Sequence, residues 1–205
     1  MKKICIISTH LDSGVSLLNG ILDLHPQLEI YQLAQRNVCS TGLDLLRLTE
    51  KSHKMKNKTA IYLFENNYNH QIIGHQILNL CKFIYLVRRP EETIPQLVVN
   101  RKIGLDFAIN YYFFRLRRIS QLCKYTPNAI FLTYEDVKKS NGIHEIESYL
   151  NLKDNLKSKF LSFHEEKEIY VKNFDYKLIQ KLETKYEKYI SWIKTQTKVW
   201  HYQHN

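Results

Sequence analysis

Glycine and proline are scarce in this 205-residue chain, six and four of them, and methionine and tryptophan number two each. That scarcity, beside 12% aromatics, excludes a collagen-like repeat or a low-complexity linker protein and leaves apolar surface for a full core. No apolar run approaches the ~18–20 residues that span a bilayer. Met1-Lys2-Lys3 before Ile4 to Ile7 imitates a signal peptide only in outline, because His10 and Asp12 interrupt the run and no small-residue cleavage site follows. A soluble, cytoplasmic protein is expected. Cys5, Cys39, Cys81 and Cys123 are too widely spaced for C-x-x-C and have no histidine at ligand spacing, so free thiols are expected and a metal is not. Acid is the scarcer charge: 20 Asp and Glu face 30 Lys and Arg, a net charge of +10. That balance favours anionic partners, although the Lys-rich tail also reads as a solvated helix face.

Cations are missing from one place in particular. No Lys or Arg lies between Lys3 and Arg36, the interval that holds the most informative stretch of the chain. There Ile4-Cys5-Ile6-Ile7 feeds Ser8-Thr9-His10-Leu11-Asp12-Ser13-Gly14, which runs into the apolar segment from Val15. A strand, a short loop with Ser-Gly at its tip and a helix present backbone N–H groups and a helix N-terminus to an anion. Asp12 and Ser13 are also good N-caps, which would close the helix start with no ligand. The Walker pattern with its lysine is absent, which disfavours a nucleotide or small-molecule kinase.

Strand-like and helix-like segments alternate along the first 150 residues. Lys3–Ser8, Leu28–Leu33, Thr59–Glu65, Lys82–Val87 and Ala129–Tyr134 read as strands. Gly14–Leu24, Thr41–Glu50, Asn69–Leu80, Leu105–Lys124, His144–Leu150 and Asp175–Lys194 read as helices, and Pro90 is placed to open another. Ser52–Lys58 reads as loop. The rhythm implies an α/β domain with a mainly parallel sheet covered on both faces, whose ligands bind at the carboxyl ends of the strands. One domain over 1–205 is expected, a core at 1–152 followed by a helical C-terminal part at 153–205. Arg88-Arg89-Pro90 ends the clearest strand and offers a second anion site, with a surface ion pair to Glu91 or Glu92 as the alternative. The Leu105–Lys124 helix carries Phe107, Tyr111, Tyr112, Phe113 and Phe114, which could line a pocket or fill the core, beside Arg115, Arg117 and Arg118, which could bind an anion or lie on the surface.

Taken together, these motifs resemble the PAPS-dependent sulfotransferase family. Its members carry a phosphosulfate loop after the first strand, in which a basic residue precedes Ser-Gly; here the stretch is Leu11-Asp12-Ser13-Gly14-Val15-Ser16-Leu17-Leu18, with Leu24-His25-Pro26 downstream. The second signature, a strand ending in Arg-x-Pro with a Ser six residues after the Pro, matches Tyr85-Leu86-Val87-Arg88-Arg89-Pro90 and reaches Gln96. A third is echoed by Leu132-Thr133-Tyr134-Glu135-Asp136-Val137 and Tyr149-Leu150-Asn151-Leu152.

The resemblance implies a three-layer, P-loop NTPase-like fold and sulfuryl transfer from PAPS, without a metal, to a hydroxyl or amine of a glycan, lipid or small molecule, including an anionic one. It makes Ser13, Gly14, Val15, Ser16 and Leu17 the cradle of the 5′-phosphosulfate, with Asp12 where the family has its loop cation. Arg88 becomes the ligand of the 3′-phosphate, assisted by Gln96. The acceptor-activating base falls on Asn66 by an ungapped count; Glu65 beside it can take a proton, and His70 lies one turn on. His10 could supply positive charge in the loop. Asp12 and Asn66 leave open a second reading, a catalytically silent nucleotide- or glycan-binding module of the same fold. The charge would also suit nucleic acid, yet no nucleic-acid motif is present.

Overall fold

The computed structural model describes residues 4–9, 11–32, 59–65, 81–126, 129–139, 141–153, 171 and 174–197. The expected helices over 41–50 and 69–80, the loop over 52–58, and His10, Cys39, Asn66 and His70 lie outside the described residues.

Five strands, β1 (Ile4–Thr9), β2 (Leu28–Gln32), β3 (Thr59–Glu65), β4 (Lys82–Val87) and β5 (Ala129–Thr133), form an all-parallel sheet in the order β2-β3-β1-β4-β5. Their near-continuous apolar runs follow from burial on both faces. Alternate residues point to opposite sides. Ile6, Phe83, Tyr85 and Val87 enter one core, while Cys5, Ile7, Ile84, Leu86, Ile130 and Leu132 enter the other.

Helices cover both faces. After β1 comes α1 (Val15–Asp23), which buries Val15, Leu18, Ile21 and Leu22, a helical i, i+3, i+6, i+7 stripe, in the second core. It ends at the turn containing His25, whose Nδ1 accepts from the Gln27 amide at 3.1 Å. After β4, the chain turns to the first core through α2 (Pro90–Arg101) and α3 (Leu105–Cys123). Pro90 sits at the helix start, where its missing N–H costs nothing. Beyond β5 come α4 (Tyr134–Lys138) and α5 (Asn141–Leu150), then α6 (Tyr176–Gln196). The last packs Leu182, Tyr186, Ile190 and Ile193 into the first core.

Two boundaries differ from expectation for a local reason. Strand β5 stops at Thr133 and Tyr134 already begins α4, because Thr133 and Asp136 form a capping box: Thr133 Oγ1 accepts the Asp136 amide at 3.2 Å and Asp136 Oδ2 accepts the Thr133 amide at 2.8 Å. Helix α6 is capped by Asp175, whose Oδ1 accepts the Leu178 amide at 2.9 Å, and runs to Gln196. Cys5, Cys81 and Cys123 are buried free thiols, and burial pushes the Cys5 and Cys123 thiols far up, so they behave as inert apolar groups. No helix among the described residues is long and apolar enough to cross a membrane.

Candidate functional site

Adjacent strands β1 and β4 send their connections to opposite faces of the sheet, α1 into one core and α2 into the other. A crevice therefore opens between their carboxyl ends, the usual ligand position in an open parallel sheet. Register places Thr9 beside Leu86 on one side and beside Glu65 on the other, and Val87 beside Thr133. The segments that follow Thr9, Val87 and Thr133 thus leave from one edge: the loop at 11–14, Arg88-Arg89-Pro90, and Tyr134.

The loop is not closed by its own side chains. Gly14 is the N-cap of α1, in the left-handed conformation at φ 84°, and makes no side-chain cap bond. Asp12, also left-handed at φ 55°, turns its carboxylate to Arg101 at the end of α2, Oδ2 to Nε 3.4 Å. Buried Ser13 spends its hydroxyl on Thr9 Oγ1. Neither good capping residue caps the helix, so the first-turn amides keep their positive end toward the crevice. No acidic residue stands in that first turn. Ser16 is exposed, Leu17 half-buried and Val15 buried.

The stretch from Thr9 to Gly14 has no Lys or Arg of its own, but arginines from distant parts of the chain contact it. Arg115 on α3 is buried and donates Nη2 to the Thr9 carbonyl at 3.0 Å, which corrects the expectation of a surface arginine. Burial lowers its pKa. Tyr111, one turn earlier, accepts the Leu11 amide on its hydroxyl at 3.3 Å. Arg101 and Arg115 were invisible as loop partners in the sequence because both act across about ninety residues or more. Their only local trace is Arg115 within an otherwise apolar helix stripe.

Arg88 is buried, 5% exposed, and forms the ion pair of its alternative reading, but within the fold and not on the surface. Its Nε donates to Glu92 at 2.6 Å, one helical turn on, and its guanidinium lies 4.2 Å from the centroid of the Tyr134 ring. The Tyr112 hydroxyl donates to the Arg88 carbonyl at 2.7 Å and fixes the strand end. The same Tyr134 ring rests against the loop: a Cβ on Gly14 would stand 2.1 Å from Cδ2 and 2.2 Å from Cε2. Tyr134 therefore joins the glycine of the first motif to the arginine of the second.

Arg89 turns away, its Nη1 3.5 Å from both Glu91 and Glu183. Gln96 lies half-buried on α2, two turns beyond Pro90. Of the base candidates, Glu65 closes β3 with its backbone beside Thr9. The aromatics of α3 divide rather than share a face: Tyr112 and Phe113 are core, while Phe107 is 64% and Phe114 56% exposed. Among the described residues no group of His, Cys, Asp or Glu is disposed to hold a metal.

No family model matches the sequence, and no curated protein matches it either. Among solved structures the chain is similar to the mouse sulfotransferase SULT7A1 complexed with PAP, with a TM-score of 0.52 and 15% identity over 78% of this chain and 63% of that one. It is also similar to retinol dehydratase in complex with androsterone and the inactive cofactor PAP, with a TM-score of 0.46 and 12% identity over 95% of this chain and 80% of that one. The chain thus spans 63% of the length of the mouse sulfotransferase. Sheet order and the loop after β1 define a P-loop-type α/β fold. That fold is shared with the mouse sulfotransferase.

Proposed function

We propose that this chain binds PAPS and transfers its sulfuryl group to a hydroxyl or amine acceptor. In this reading the amides of Ser13 to Leu17 and the N-terminus of α1 hold the 5′-phosphosulfate, while Arg88, with Gln96, holds the 3′-phosphate. In-line displacement forms the bond from acceptor oxygen or nitrogen to sulfur and breaks the bond from sulfur to the leaving phosphate oxygen. Glu65 receives the acceptor proton. Placement and charge stabilisation supply most of the acceleration, as in phosphoryl transfer. The single observation that carries the reading is the convergence of an uncapped helix start at Gly14, the Tyr134 ring and buried Arg88 at one edge of the sheet. A loop that only needed closing would have used Asp12 or Ser13 as its cap.

Thermal stability titrated with PAP, and separately with ATP and magnesium, tests the proposal. Binding stabilises the fold by RT ln(1 + [L]/Kd), about 2.7 kcal/mol at a hundredfold excess over Kd. PAP is expected to raise the melting temperature and Arg88→Ala to abolish that rise. No response to millimolar PAP sinks the donor site, and a response to ATP with magnesium alone redirects the reading to a kinase.

One observation favours a second reading, a nucleotide-binding module without transfer: the Asp12 carboxylate stands where the resemblance places a cation, and Arg101 meets it only across 3.4 Å. Tight PAP binding with no release of PAP from PAPS across hydroxyl and amine acceptors would select that reading.

A further inference from the structure

Away from the sheet edge, the outer faces of α3 and α6 enclose a groove of about 510 Å³. Arg117 and Lys124 line it from α3, and Lys185 and Lys188 from α6. No carboxylate among the described residues lines it. Helical spacing explains the segregation: Glu183 and Glu187 fall on the other side of α6, and Glu183 is engaged with Arg89. None of the four cations is in an ion pair with a described residue. All four are exposed. Arg117 lies only two residues from Arg115, but Arg115 faces the β1 loop and Arg117 faces solvent, so the groove and the donor crevice occupy opposite sides of α3.

We infer that this groove binds an acidic polysaccharide, a chain rich in both sulfate or carboxylate groups and hydroxyls. Its cations recur at one- and two-turn intervals, ~5–10 Å apart along each helix, a repeat that suits charges spaced along a polymer. Lys181, one turn before Lys185, extends the same stripe into solvent. Between the cations stand Gln121 and Tyr189, neutral hydrogen-bonding groups of the kind that hydroxyls pair with.

The ring chemistry separates this occupant from single-stranded nucleic acid, which needs open aromatic faces for its bases to stack on. Here Lys124 Nζ already lies 5.2 Å from the Trp192 ring centroid, and Lys185 Nζ covers the neighbouring Phe113 ring at 4.1 Å. The lysines are thus held at the groove by rings they cover, and charge rather than stacking is on offer.

Calorimetric titration of the full chain with a heparin hexasaccharide at physiological ionic strength tests the inference. Lys185→Ser with Lys188→Ser is expected to weaken binding about tenfold or more, a free-energy loss typical of losing paired charge contacts. The control, Lys139→Ser with Lys194→Ser, removes the same charge from exposed sites outside the groove and is expected to change the affinity less than about threefold. Absence of binding, an equal loss in the control, or equal or tighter binding of oligothymidylate would each overturn the inference. The donor proposal stands apart from this one. A chain that binds heparin but ignores PAP sinks the transferase reading alone, and one that responds to PAP but not to heparin sinks the groove alone.

Discussion

Gly14 meets two demands that no other residue meets together. Its φ of 84° disfavours any side chain, and the Tyr134 ring fills the space a Cβ would need. Gly14→Ala should therefore cost about 2–4 kcal/mol, the sum of a left-handed alanine and a forced repacking. In a Tyr134→Leu background the ring is gone and the cost should fall toward the backbone share, about 1–2 kcal/mol. Urea unfolding of the four proteins measures the coupling, and an equal cost in both backgrounds would mean that the ring does not press on the loop. Two residues away, Asp12 also sits at positive φ but answers Arg101 across a loose 3.4 Å contact. Asn tolerates that backbone, so Asp12→Asn should leave stability within about 1 kcal/mol and release Arg101 toward the crevice. PAP affinity measured by thermal shift should rise. If it falls, the Asp12 carboxylate has a positive role in holding the loop.

Elements were legible in proportion to how local their causes are. Strand β4 and the helix opened by Pro90 stand in the sequence as an apolar run ending at Arg88 and a proline that pre-sets helical backbone. Expected and observed bounds coincide for β3 and β4. The start of α4 was missed because its capping box overrides the strand-like Tyr134, a contest between local signals that alternation alone cannot settle. At the candidate site the motif residues could be named, but the contacts that assemble them could not: Tyr134 on Gly14, Arg115 on Thr9 and Arg101 on Asp12 span about ninety to a hundred and twenty residues.

The junction of α2 with α6 carries a similar long-range dependence, and it titrates. Burial, reinforced by Glu183, raises the Glu91 carboxyl, and Arg89 at 3.5 Å opposes this only in part. Between the ordinary carboxylate value and the raised one, the folded state holds a proton that the unfolded state has released. This group's contribution to stability therefore falls as pH rises through that window and stays reduced above it. Glu91→Gln should flatten the decline, so that the variant gains on the parent as pH rises above the ordinary carboxylate value of about 4.3. Unfolding free energies at a series of pH values test this, and a gap that narrows with rising pH would show that Arg89 dominates instead.

At the scale of the molecule, α6 contributes to the core under β1 and β4 although it lies far along the chain from both. Leu182, Tyr186, Ile190 and Ile193 pack with Phe83, Tyr85, Tyr112 and Leu116. If that core is continuous, a cavity in α6 weakens the whole structure and does not merely loosen its C-terminal part. Ile190 is 3% exposed, and Ile190→Ala should cost about 2–5 kcal/mol. One transition should persist by circular dichroism and by tryptophan fluorescence, because Trp192 rides on the same helix. The groups proposed for the donor hang instead on the ends of β1 and β4 and are braced by Tyr111, Tyr112, Arg115 and Tyr134. PAP affinity measured well below the melting temperature should therefore change little. Two separated transitions, with fluorescence leading, would place α6 in a unit that unfolds alone. A large loss of PAP affinity without them would mean that the pressure of α6 on α3 is what holds Arg115 and Tyr111 against the loop.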